Sequence, residues 1–241
     1  MPPQPLSRVK SKASLFINPT ILAQSGDLGA MPMVVIATWA QIDNSLAGLL
    51  AAMLHSEHRI VVSMLDALRS SEGRRAAIEA GVKSAASADD FDMFRAIQKV
   101  TKQSRVYRNA FAHGLWAYTP QIADALLLVK PSAVTALGVD LKDYLGASEA
   151  RLVEWRESAK VGIPPPKGPP LPDIDRSRIL VFRRRDLEEE VKSATDAYEL
   201  TVQLASMLAA ADPAREKVRQ RLLKSPQIAE LVQKYSHERT S

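Results

Sequence analysis

Cysteine is absent from the 241 residues, which excludes a disulfide framework and thiolate chemistry and suits a reducing, cytoplasmic location. The chain also lacks a phosphate-cradling glycine loop, a zinc-ligand cluster and a serine-nucleophile elbow. Nucleotide hydrolysis, zinc-dependent hydrolysis and serine-hydrolase chemistry are therefore not expected, and neither a metal nor a cofactor is. An uninterrupted apolar span is missing too. Met31 to Leu54 is long enough to cross a bilayer, yet it sets Gln41, Asp43 and Asn44 at its middle, where a charge is costly. It reads as a buried helix, with no membrane partner expected. Met1 to Lys10 has three prolines and two basic residues but no continuous apolar core of the kind a secretory signal needs. Residues 1–30 are expected to form a partly disordered arm.

What is present is enough for a substantial core, since 46% of the residues are hydrophobic. Lys and Arg total 32 against 27 acidic residues, and the net charge of +5 permits a nucleic-acid partner without demanding one. Apolar residues recur with helical period over Met33 to Leu54, Ser56 to Ser70, Glu72 to Ala85 and Ala88 to His113. Ser87 and Asp90 make a capping-box-like start to the last of these, and Gly114 is its expected stop. Two short runs, Ile122 to Val129 and Arg178 to Phe182, have strand character and are expected to pair. Between them lie an expected helix, Ser148 to Lys160, and the proline-rich segment Ile163 to Pro172, a stiff spacer or a partner-binding motif. Asp186 is expected to open a helix to about Ala210, and Asp212-Pro213 and Ser225-Pro226 each look like an N-cap followed by proline. The expected fold is mainly α: a helical core over 31–116, then a small two-stranded β element, connector and packing helix over 117–210, and a helical tail over 211–241.

On the Ala88 to His113 segment, Met93, Ile97, Val100, Ser104, Tyr107 and Phe111 form the stripe expected to face the core. At about 100° per residue, Asn109 and His113 fall roughly 160° from that stripe, one turn apart, while Arg108 lies about 60° from it. Gln98, Lys102 and Arg105 share the polar side, giving a basic ridge that ends in an imidazole. On the Met33 to Leu54 segment Asp43 is the single charge in a stripe otherwise made of Ile36, Ala40, Ala47, Leu50 and Leu54. A buried carboxylate needs a cationic or hydrogen-bonding partner, and Arg108 is the first choice, His113 the second. Trp116 is read either as a stacking surface for an RNA base or as an anchor for the loop after the helix.

The heptapeptide Arg108-Asn109-Ala110-Phe111-Ala112-His113-Gly114 resembles the signature of the HEPN superfamily: an arginine, often a polar residue next, and a histidine after four to six positions late on a helix. The resemblance covers about Met31 to Trp116. It implies an all-α homodimer with two motifs near one another across the interface, and in many members a metal-independent ribonuclease. An acidic residue on an earlier helix often supports the site, a role that Asp43 suits. Toxin or defence roles are common among such proteins, which makes a protein antitoxin or regulator a possible partner. The tyrosine often found two positions after the histidine in the toxins is Leu115 here, so nucleotidylation of such a site is not expected.

Metal-free RNA cleavage needs a base for the ribose 2′-hydroxyl proton, an acid for the leaving 5′-oxygen and a cation at the phosphorus centre. Histidine titrates near neutrality and suits either proton role. Arginine stays charged and presents a planar fork to phosphate oxygens. His113 is thus the expected proton carrier, Arg108 the phosphate stabiliser and Asn109 a positioning group, with Lys102, Arg105 and Trp116 as RNA contacts. A non-catalytic RNA-binding or regulatory module is the alternative.

Overall fold

The computed structural model describes residues 3–159, 170–210 and 212–240. The fold is mainly α, with eleven α-helices and five short strands among the described residues. The chain divides into two compact units, Met1–Ala30 with Ala110–Leu187, and Met31–Asn109 with Glu188–Ser241.

The first unit is built on an antiparallel sheet. Its strands are β1 (Gln4–Pro5), β2 (Phe16–Ile17), β3 (Leu115–Tyr118), β4 (Ala125–Val129) and β5 (Ile179–Arg183), in the order β1-β5-β4-β3-β2. β4 and β5 are the two expected runs, paired from Ala125↔Arg183 to Val129↔Ile179. The sheet nevertheless corrects the expected two-stranded element. The supposedly disordered arm supplies β1 and β2 as edge strands, with short helices α1 (Leu6–Val9) and α2 (Ile21–Gln24) between and after them. Strands of two to four residues are too short to display a period of two, which is why the pattern missed them. Leu127, Val129, Ile179 and Val181 pack on one face with Leu6, Ala13, Ala117 and Ile174. Leu126, Leu128 and Phe182 are buried as well. A strand buried on both faces reads as the continuous apolar run seen at 125–129.

α7 (Lys102–His113) ends at Gly114, whose N–H donates to Ala110 O at 2.8 Å. The glycine does not take the left-handed cap conformation expected of it; Gly26 is the described glycine with positive φ. Its need is spatial, because a Cβ there would lie 2.4 Å from Leu128 Cδ1 and 2.7 Å from Ala110 O. After β4 a single helix, α8 (Pro131–Ala159), replaces the expected start at Ser148, with Pro131 as its first residue. The proline-rich segment falls mostly outside the described residues. Of the Arg183-Arg184-Arg185 run, Arg184 is engaged within the unit, donating to Asp27 at 2.6 Å and to Asp124 at 3.0 Å.

The second unit is helical: most of α3 (Gly26–Met53), then α4 (His58–Asp66), α5 (Ser71–Ala85), α6 (Ala88–Val100), the larger part of α7, most of α9 (Arg184–Ala209), α10 (Asp212–Leu222) and α11 (Pro226–Thr240). The helical core therefore closes at Asn109 rather than Trp116, and it takes in the C-terminal helices that the sequence pattern set apart. Among the described residues, α3 is the one helix long and apolar enough to cross a membrane by length and composition. Val35, Trp39, Ile42, Leu46 and Leu49 of α3 are buried, as are Ile78 and Val82 of α5. Gly81 lets α5 approach α3 closely, since a Cβ there would stand 2.4 Å from Leu50 Cδ1.

The expected helix over Ala88 to His113 is two helices. At Thr101 the backbone reaches ψ −4°, and the buried hydroxyl donates to Ile97 O at 3.0 Å. A side chain that bonds back to the preceding turn loosens the ladder and bends the helix. The start of α6 is as expected: Ser87 Oγ accepts from the Asp90 N–H at 3.3 Å. Asp90 does more than cap, for it is buried and ion-paired with Arg215 of α10. Asp89 accepts from Arg239 of α11 at 2.7 Å. These acid-to-arginine pairs fasten the C-terminal helices to the start of α6.

Candidate functional site

Within the second unit α3 and α7 run parallel, tied by two hydrogen bonds one turn apart. Trp39 Nε1 donates to Ser104 Oγ at 3.0 Å. Four residues further on each helix, Arg108 Nη2 donates to Asp43 Oδ2 at 3.0 Å. The first of the two expected partners of Asp43 is thus the one it has. Arg108 also donates from Nη1 to Asn109 Oδ1 at 2.9 Å, so its guanidinium is oriented from two sides. Its Nε is buried with no hydrogen-bond partner.

The expected burial of Asp43 is corrected: its side chain is 58% exposed against 22% for Arg108. The face of α3 that carries it is only partly covered, as Ala40 and Leu54 are exposed too. Desolvation by the flanking helices pushes the Asp43 carboxyl above its ordinary range, against the pull of Arg108, Arg74 and Arg105. With more than half of the side chain open to water, that push is well screened.

Along the expected ridge, Lys102 and His113 are exposed, while Arg105 and Asn109 are half-buried. Arg105 Nη1 donates to Gln98 Oε1 at 3.3 Å. Burial and the neighbouring Arg75 guanidinium hold Arg105 below the usual arginine range, with Asp43 opposing them. Arg108 and Asn109 belong with Asp43 to the second unit, and α7 carries on into the first unit, where His113 occupies its last turn. Trp116 is buried in the first unit, its ring 5.3 Å from Phe111 and 6.4 Å from Phe182. Of the two readings of this residue, the geometry is that of the anchor, and the indole offers no open face for a base.

Arg74 and Arg75 went unnoticed in the sequence, although Coulombic coupling links them to Asp43 and Arg105. Two arginines before an apolar stripe look like an ordinary solvated helix start, and nothing in the pattern says which helix lies opposite. Among the described residues no group of three or more His, Asp or Glu side chains is placed to hold a metal ion. No protein-family model, curated protein or solved structure matches the chain.

Chemically, the second unit offers on α7 a guanidinium of fixed orientation, with Arg105 one turn before it on the same helix. It can bind an oxyanion in a defined orientation.

Proposed function

We propose that the chain is a metal-independent endoribonuclease of HEPN type. The observation that carries the reading is the holding of Arg108 between Asp43 and Asn109, on a helix that ends in an exposed histidine. A guanidinium used to stabilise a pentacoordinate phosphorus centre gains from being oriented before the substrate arrives. In this reading Arg108 faces the phosphate oxygens and Asn109 positions it. His113 carries the proton, either taken from the 2′-hydroxyl or delivered to the leaving 5′-oxygen. The 2′-oxygen attacks phosphorus, the P–O5′ bond breaks, and the products are a 2′,3′-cyclic phosphate and a 5′-hydroxyl. One motif supplies one imidazole. A homodimer that brings two motifs to one cleft supplies the second proton carrier, and such a dimer is part of the proposal.

One observation favours a second reading, a non-catalytic RNA-binding module: both terminal nitrogens of Arg108 already have acceptors within the protein. The test separates the two. Purified protein incubated with single-stranded RNA and EDTA should cut it, leave DNA of the same sequence intact, and yield cyclic phosphate ends. His113→Ala should abolish cutting with an unchanged circular-dichroism spectrum, and Arg108→Lys should fail because an ammonium cannot reproduce the fork. Cleavage that survives His113→Ala, or that chelation stops, defeats the mechanism. Light scattering that finds a monomer at micromolar concentration defeats the shared cleft.

A further inference from the structure

Three arginines, Arg108, Arg74 and Arg105, act on the Asp43 carboxylate in the second unit, and Arg75 acts in turn on Arg105. Leu50 of α3 lies against Gly81 of α5. Seven residues earlier on each helix, two turns back on the same faces, stand Asp43 and Arg74, with Arg75 beside it. From the other side α7 presents Arg108 and, one turn before it, Arg105. The negative charge nearby is soon used up. Asp43 is taken by Arg108 at 3.0 Å, and Arg74 pairs with Asp66 at 3.3 Å. Arg105 donates to the neutral side chain of Gln98. Among the described residues Arg75 and Lys102 have no ion pair within 4.0 Å, and Glu79, one turn along α5 from Arg75, makes none either.

Two guanidiniums held within Coulombic reach without a carboxylate between them repel each other. An anion lying across both removes that repulsion. Planar forks with several donors suit the tetrahedral oxygens of a phosphate.

We propose that Arg75 and Arg105, with Lys102 at the rim, form a subsite for the phosphodiester backbone of single-stranded RNA, one helical turn from Arg108 along α7. This deepens the reading given above and rests on it for the choice of RNA. It assigns α5 a part in recognition and sends the strand across α5 and α7. Burial first, and then the Arg75 guanidinium, lower the Arg105 pKa, in agreement with this placement.

The test measures binding of a non-cleavable 2′-O-methyl RNA to the full chain across a range of salt concentrations. Each lost phosphate contact should lower the slope of log K against log salt by about 0.7 for a single strand. Arg75→Ala and Arg105→Ala should each produce that drop and Arg75→Glu a larger one, while Arg105→Lys keeps the slope. Arg75 is exposed, so its variants test the subsite even if the half-buried Arg105 cannot be removed without unfolding. Unchanged affinity and slope in Arg75→Glu overturn the subsite. So does poly-glutamate that binds as tightly with the same dependence on Arg75, since it shows a surface for carboxylates. A lowered slope in a protein that never cuts RNA defeats the nuclease and leaves the subsite standing. Cutting with an unchanged slope does the reverse.

Discussion

Arg108 meets Asp43 at the same sequence offset, 65 residues, that separates Trp39 from the Ser104 hydroxyl it donates to. A constant offset over one turn means that α3 and α7 lie parallel and in register. The two bonds fix the rotation of α7 about its own axis, and with it the side on which Arg105 and Asn109 stand. Trp39 anchors the contact in the core, where the ring is 3% exposed. Asp43 anchors it at the rim.

The half-open setting of Asp43 sets the size of its contribution. An exposed ion pair contributes roughly 0–1 kcal/mol, whereas removing one partner of a buried pair costs about 3–5. Arg108 keeps its bond to Asn109 when the carboxylate is gone. Asp43→Ala should therefore lower stability by about 1 kcal/mol in urea unfolding, with no change in the denaturant slope. A loss above 3 kcal/mol would show that the carboxylate is sealed from water in solution, for instance by a second copy of the chain.

The attachment of the C-terminal helices to α6 predicts both a mutational and a pH effect. Asp90 is 2% exposed and its partner Arg215 31%. Arg215→Ala leaves the carboxylate with Ser87, the helix N-terminus and Arg219 at 4.0 Å. The expected cost is roughly 1.5–3 kcal/mol, read by thermal or urea unfolding. For Asp89, the hydrogen bond from Arg239 holds the carboxyl below its ordinary value of 3.8. The unfolded chain then takes up a proton before the folded one does. The stabilisation is complete above the ordinary value and is lost as the pH falls below it. The protection of amides in α10 and α11, relative to their intrinsic exchange at each pH, should fall below about pH 4, ahead of that in α3. A uniform loss of protection in all three helices would refute a separate release of α10 and α11.

Gly114 predicts a packing penalty rather than a conformational one. Its φ is in the ordinary range, so a side chain there brings no left-handed strain, but the added methyl collides with Leu128, 3% exposed in the sheet, and with the carbonyl oxygen of Ala110. Gly114→Ala should cost about 1–3 kcal/mol through overpacking. Leu128→Ala in the same chain should recover part of the loss despite the cavity it opens, an interaction that a double-mutant cycle measures. Strict additivity would remove the collision as the cause.

Several features of this protein were written in local sequence alone. The buried stripe Val35, Trp39, Ile42, Leu46, Leu49 follows from a period of 3.6, and the cap at Ser87 from one hydroxyl three residues before a free N–H. The pairing of the apolar run at 122–129 with the β-branched and aromatic run at 178–182 was legible as well, although the strands themselves span Ala125–Val129 and Ile179–Arg183. The Asp43–Arg108 pair was legible because a lone charge on an apolar helix stripe calls for a partner. Tertiary structure decided the rest. Thr101 breaks a periodic pattern through a bond from its own side chain, and β1 and β2 exist only because β5 and β3 offer open edges. Asp43 lies at the rim because burial depends on which helices surround α3. Arg75 acts on Arg105 through space although the two lie on different helices, α5 and α7. Periodicity tells which face of a helix turns inward, but a neighbour across the fold is chosen by packing, and its charge reaches the site through space rather than along the chain.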